Sequence, residues 1–285
     1  MEINLNNFLI ADCIHGKMIW LKGDGVIGKC LKYYGEWSEG ENIIMSQFIS
    51  EGNTVIDIGA NIGTTVLALS KAVSDTGKVL AFEPQNIISQ CLQATLTLND
   101  ITNVSVNNFA VSNESGWAYI NDKEFAESGR YGEAGISETG TRIKTIKLDE
   151  IETERCDLIK IDVEGYEYQI IQGGIEFLKK HKPILYMEAK KNEKGTIKYL
   201  KWLFENGWRC YWHYAFWFRH NNFKKNNDTS IFETVGGIGV GDMNIVAVPN
   251  EMNQPNNLLE LQNYNEEWNN EELSKFYNKN DLQMI

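Results

Sequence analysis

Asp57, Gly59, Asn61 and Gly63 stand on alternate positions of VIDIGANIGTT, and Glu83 follows twenty residues past Gly63 in VLAFEP. A buried strand that ends in an acid, turns through glycines and enters a helix presents its backbone at the carboxyl edge of a parallel sheet, where ligands of such sheets collect. An acid at the tip of the next strand accepts hydrogen bonds from both hydroxyls of a ribose. A pyrophosphate does not suit this turn. Counted from Gly59, the place where a dinucleotide needs its second glycine is Asn61, and Asp57 sets an anion beside any phosphate. A nucleoside carrying a positive amino group and no phosphate suits it better, and S-adenosyl-L-methionine (SAM) is such a cofactor. An NAD-dependent oxidoreductase would share the sheet and Glu83; Asp57 and Asn61 count against it.

A second glycine run, GDGVIGKC from Gly23 to Cys30, matches both a dinucleotide fingerprint and a P-loop lacking its final Ser/Thr. Neither match has its context, since no amphipathic helix is evident from Gly28 and Cys30 would have to face Mg²⁺, for which a thiol is a poor ligand. Asp24, not Lys29, is the residue of interest there.

The elements that must position these groups alternate from Thr54 onward. Strands are read at 54–59, 78–83, 103–111, 157–163 and 183–189, and helices at 62–73, 87–98, 166–179 and 196–206. A last strand, MNIVAV, occupies 243–248, after an aromatic run (WRCYWHYAFWFRHNNF) and a glycine cluster. Near-continuous apolar strands separated by amphipathic helices predict an α/β fold, a mostly parallel sheet with helices on both faces. GWAYIN and TRIKTIKLDE read as strands of a less regular segment, 112–154. The tail from residue 250 is acidic and Asn-rich, with NNEELSKFY as a candidate short helix.

The formal net charge of −12 disfavours nucleic acid and anionic membranes as partners. Five separated cysteines without a C-x-x-C pair argue against a disulfide framework or a zinc site. The N-terminus shows no basic region followed by an apolar run, and no stretch has the ~18 apolar residues of a membrane span. A cytoplasmic protein is expected, and its oligomeric state is left open.

VIDIGANIGTTVLALSKAV, VLAFEPQ, FAVSNESG and above all DLIKIDVEGYEYQIIQGG resemble the FkbM family of SAM-dependent methyltransferases. The resemblance spans roughly residues 24–249 and implies a class I methyltransferase (Rossmann-like) fold, with a seven-stranded sheet whose last strand is antiparallel. It implies O-methyl transfer to a hydroxyl of a sugar, glycan or secondary metabolite. It also implies that Asp57, Gly59, Asn61 and Gly63 line the methionine end of SAM, that Glu83 holds the ribose, and that Pro84, Asn108, Phe109 and Ala110 flank adenine. Residues 1–50, including Tyr34 and Glu36 of YGEWSEGE, would form a cap over the cofactor, 51–250 the methyltransferase domain and 251–285 a C-terminal tail.

On the acceptor side, Asp162, Glu164, Glu188 and His213 stand at or beyond the ends of the later strands as candidates for base and substrate anchors. Each has a plainer reading: Asp162 as a helix cap, Glu164 paired to a surface lysine, His213 satisfied in an aromatic core. The three carboxylates could form an oxygen site for Mg²⁺, but nothing in their spacing requires a metal, and none is expected. Glu188 is followed by Ala-Lys, where many relatives of the family have Asn-Asp. A non-catalytic SAM-binding module is the remaining alternative.

Overall fold

The computed structural model describes residues 6–122, 129–190, 194–233, 241–255 and 257–266. The glycine cluster at 235–240 and the candidate helix near 269–277 lie outside these residues. Strand β3 (Thr54–Ile58), entirely buried, is central to the main sheet. On one side it pairs in parallel with β4 (Lys78–Phe82), which pairs with β5 (Val104–Asn107). On the other side lies β10 (Leu158–Ile161), then β11 (Ile184–Glu188), both parallel to it. The antiparallel strand β13 (Gly241–Pro249) inserts between β11 and β12 (Trp208–Phe216). This is the class I methyltransferase arrangement.

The sheet has eight strands, where seven were expected. The extra one, β14 (Leu259–Glu260), adds two residues to the free edge of β12, so part of the C-terminal segment is tied to the sheet. Two hydrophobic clusters fill the two faces. One holds Ile56, Ile159 and Met187; the other holds Val55, Leu158 and Val246. Neighbouring strand residues thus feed opposite layers, as the two-residue period of a strand requires.

Helices α3 (Thr64–Ala72) and α4 (Asn86–Leu98) follow β3 and β4. The N-terminal hairpin, β1 (Phe8–Cys13) with β2 (Gly16–Leu21), packs on α4. Two short helices, α1 (Ile27–Tyr34) and α2 (Glu39–Ser46), connect it to β3. A helix therefore does open near Gly28, contrary to expectation. Gly28 faces Trp20, whose ring a Cβ would approach to 2.4 Å, so the helix serves packing and not phosphate binding.

Two expected elements are broken. The strand at 103–111 divides into β5 and β6 (Ala110–Ser112), and β6 joins a separate four-stranded sheet with β7 (Gly116–Ile120), β8 (Ile136–Ser137) and β9 (Thr141–Lys147). The helix at 166–179 divides into α5 (Glu167–Gln172) and α6 (Ile175–His181) at Gly173–Gly174. The aromatic run 208–216 is itself strand β12. Helix α7 (Lys194–Asn206) packs on β12 and α5. No helix among the described residues is long and apolar enough to cross a membrane.

Candidate active site

A cleft enclosing about 1470 Å³, its open mouth included, lies over the carboxyl ends of β3, β4, β10 and β11. Gly59 opens it. Its φ of +86° is left-handed, and a Cβ there would meet the Asp162 carbonyl oxygen at 1.8 Å, so only glycine lets the β3 turn lie against the end of β10. Asn61 continues the turn, and its side-chain oxygen accepts from the Ile62 N–H at 2.7 Å.

Glu83 is buried at the tip of β4, with its carboxylate accepting the N–H groups of Asn61 at 3.0 Å and Gln85 at 2.8 Å. Burial raises it to about 7, against the pull of those two N–H groups. Asn108 does not line the cleft. Its amide donates to the carbonyls of Glu83 and Pro84, at 2.8 and 3.0 Å, and so fixes the turn from behind. Pro84, Phe109 and Ala110 do line it, whereas Gly63 stands behind as the N-cap of α3. A strap at 129–136 crosses above. It is tied to one rim where the Gly25 N–H donates to the Gly129 carbonyl at 2.8 Å, and to the other where the Gln85 amide donates to the Tyr131 carbonyl at 2.9 Å. Asp24 lines the cleft and Lys29 does not.

On the cleft floor is a charge pair whose lysine the sequence reading overlooked. Lys160, in register with Asp57, places its ammonium 2.7 Å from Asp162. Burial alone would depress this ammonium; Asp162, Asp57 and Glu41 outweigh burial and hold it above the usual lysine range. Asp57 is fully buried, and neither carboxylate oxygen has a hydrogen-bond partner. Burial raises it to about 6, opposed by Lys160. Asp57 is absent from the cleft wall, so its influence on a ligand passes through Lys160 and the turn. The available signal was a lysine in LIKI, the middle of an otherwise apolar buried strand.

Asp162, Glu164 and Glu188 meet at the far end of the cleft, with one oxygen of each within 4.8 Å of the others. Such an oxygen set suits a hard cation, but Lys190 already sits among them, bonded to Glu164 and 3.5 Å from Glu188. Glu164 occupies a left-handed backbone conformation, φ +57°. Glu188 is raised to about 10, by burial first and then by Asp162 and Glu164.

The wall here consists of residues not named as site residues from sequence: Trp37 and Glu41 of the expected cap, Trp217, whose ring centroid lies 5.1 Å from that of Trp37, and Asp242 and Asn244. Trp217 donates to Asp242 at 2.5 Å, and burial still raises Asp242 to about 7. Glu41, which accepts from Ser38 at 2.9 Å, is raised by burial to about 8.

Besides Asp57, Gly63 and Asn108, three further expected site residues are not brought to the cleft. His213 is buried, with Nδ1 2.7 Å from the Tyr186 hydroxyl, and burial depresses it to about 3, so it is neutral and enclosed. Tyr34 is packed inside and donates to the Asp228 carbonyl at 2.5 Å. Glu36 is buried against Arg219, at 2.8 and 3.0 Å, and accepts the Phe223 N–H. Tyr34 and Glu36 fasten the N-terminal segment to the 217–233 loop; they do not face a cofactor.

The residues present fit SAM. An acid sits at the β4 tip for the ribose, Pro84 and Phe109 offer apolar surface for a base, and the acidic far end favours a positive charge. In comparison with known proteins, the model of the Methyltransferase FkbM domain matches residues 57–223. Among solved structures, the chain resembles a methyltransferase FkbM from Methylobacillus flagellatus KT at 17% identity and a TM-score of 0.46, covering 75% of this chain and 50% of that one. This chain thus spans half the length of that protein. It also resembles the O-methyltransferase TomG from Streptomyces achromogenes, involved in tomaymycin synthesis and solved with SAM, at 10% identity, TM-score 0.44 and coverage of 74% and 79%. A third likeness is a SAM-dependent O-methyltransferase from Thermotoga maritima at 14% identity, TM-score 0.42 and coverage of 86% and 79%. No curated protein sequence matches the chain.

Proposed function

Since the chain belongs to the FkbM methyltransferase family, with SAM as its cofactor, we propose that this cleft methylates a hydroxyl of a sugar or another polyol. The observation that carries the reading is the continuity of one cleft, from Glu83 and Phe109 at one end to the paired indoles and carboxylates at the other. Glu83 would accept from the ribose hydroxyls, Pro84 and Phe109 would flank the adenine, and Gly59 and Asn61 would border the methionine end. Trp37 and Trp217 offer the aromatic faces on which sugar rings pack, and Asp242 and Asn244 the polar groups that orient hydroxyls.

The bound cofactor supplies a methyl group on a sulfonium, ready for in-line displacement. Asp162 is the proposed base. One of its oxygens is held by Lys160 at 2.7 Å, and the other would take the proton of the acceptor hydroxyl as the methyl passes from sulfur to that oxygen and S-adenosylhomocysteine leaves. Placing that hydroxyl supplies ~7–11 kcal/mol of the barrier. A positioned base adds typically ~10²–10⁴-fold. Orientation by the walls therefore matters at least as much as Asp162.

The test is a screen of isotope-labelled SAM against nucleotide sugars, free glycans and polyols, reading S-adenosylhomocysteine and labelled product. Label on a sugar oxygen, lost in Asp162→Asn with SAM affinity retained, is expected. Tight SAM binding with no turnover on any hydroxyl acceptor would make the chain a binding module. Binding of NADH in place of SAM by calorimetry would overturn the reading altogether.

A further inference from the structure

The four-stranded sheet has two unlike faces. Its inner face, Ala118, Ile120 and Ile143, packs with Ala110 and Ile136 and closes the side of the cleft. Its outer face presents Trp117, 63% exposed, and Tyr119, 43% exposed, from β7, with Arg142 and Lys144 from β9. These are large aromatic areas to leave in water.

The pairing explains how the four side chains meet. Trp117 is opposite Lys144 and Tyr119 is opposite Arg142, so all four stand on one side of the pleat. The Arg142 guanidinium lies 4.2 Å from the centre of the Trp117 ring, and the Lys144 ammonium 4.4 Å from that of Phe109, a residue of the cleft wall. Nearby cations are already paired, Arg130 with Glu133 and Lys147 with Glu150. Among the described residues, Arg142 and Lys144 hold ring faces and no carboxylate. Neither β7 nor β9 contains an Asp or Glu, in a chain whose net charge is −12.

We propose that this outer face is a second binding surface, distinct from the cleft, for a uronate-bearing polysaccharide. A guanidinium stacked on an indole keeps its planar edge of N–H donors outward, in the fork that matches a carboxylate. The open areas of Trp117 and Tyr119 take the apolar faces of pyranose rings. Lys144 meets a second carboxylate along the chain, toward the edge of the cleft at Phe109. Two rings give little apolar area to bury among lipid tails, whose binding scales with that area, whereas ring faces beside cations suit an anionic sugar chain.

The test is calorimetry of the full chain with oligogalacturonate, with neutral dextran and dextran sulfate as controls, and sedimentation with phosphatidylglycerol vesicles. Oligogalacturonate should bind, dextran should not, and Trp117→Ala and Arg142→Gln should each weaken binding about tenfold, the scale of a charged hydrogen bond or a desolvated stacking contact. Trp117→Phe, which keeps a ring, should restore most of the affinity. Both side chains are outside the cleft, so SAM affinity and melting temperature should match the parent protein. That separates failure of this surface from failure of the cofactor site. Absence of oligogalacturonate binding, equal binding by both variants, equal affinity for dextran sulfate, or preferential capture by the vesicles would each overturn the proposal.

Discussion

Lys160 is the residue on which the site's electrostatics turn. Its ammonium is buried 2.7 Å from Asp162 and lies above Asp57, whose oxygens have no hydrogen-bond partner. Breaking a buried pair from one side strands the other charge and costs about 3–5 kcal/mol. Lys160→Met should therefore destabilise the protein by about that amount in urea unfolding. Adding Asp57→Asn, which removes the stranded charge, should recover more than half. Additive losses in the double variant would show that the two residues do not interact. Glu83, the proposed ribose ligand, stands apart from this pair. Glu83→Gln keeps the side chain's shape yet removes its charge, and should weaken SAM binding more than tenfold by calorimetry, an effect expected of a charge-assisted hydrogen bond; unchanged affinity would remove Glu83 from the ribose role.

Elements were legible in the sequence where periodicity alone decides them. The alternation of buried strands and helices between 54 and 189 set the class of sheet, and the acid-and-glycine turn pointed to the strand ends where the cleft lies. Close approaches between distant segments leave no periodic trace. The helix expected at 166–179 breaks at Gly173–Gly174, where a Cβ on Gly173 would lie 2.1 Å from the Ser112 carbonyl oxygen at the end of β6. Gly173 has φ −81°, a conformation open to any residue, so the constraint is steric alone. Gly173→Ala should cost about 1–3 kcal/mol, as overpacking does, with SAM affinity kept, since the break is remote from Glu83. A melting temperature equal to the parent's would mean that β6 yields freely. The far wall of the cleft was less legible: Trp37 and Glu41 lie in YGEWSEGE, read as part of a cap, but their meeting with Trp217 and Asp242, from segments far apart in sequence, follows from the packing of α2 on β12. His213 shows the reverse case: expected at a strand end, it lies inside β12, buried against the Tyr186 hydroxyl.

For the whole molecule, the cleft gathers more buried negative charge than its two lysines balance. Burial is the leading cause at every group: Asp57 is raised to about 6, Glu83 and Asp242 to about 7, Glu41 to about 8 and Glu188 to about 10. Unfolded, such carboxyls titrate near pH ~4. Between that pH and each raised value, the folded state binds more protons than the unfolded chain, so stability must fall as pH rises through the window. Lys160 is shifted in the same direction, but its contribution is lost only above the ordinary lysine range, so it does not change the slope between pH 5 and 9. The melting temperature without ligand should thus be highest near pH 5 and decline toward pH 9, and Glu188→Gln should flatten the decline. SAM brings a positive charge to the same carboxylates once they are ionised, so the stabilisation it confers should be larger at pH 8 than at pH 5.5. Scanning fluorimetry across that range, with and without SAM, checks both. A flat profile without ligand would mean that water reaches these carboxyls and relieves their burial. A SAM shift independent of pH would mean that the cofactor's charge does not meet them.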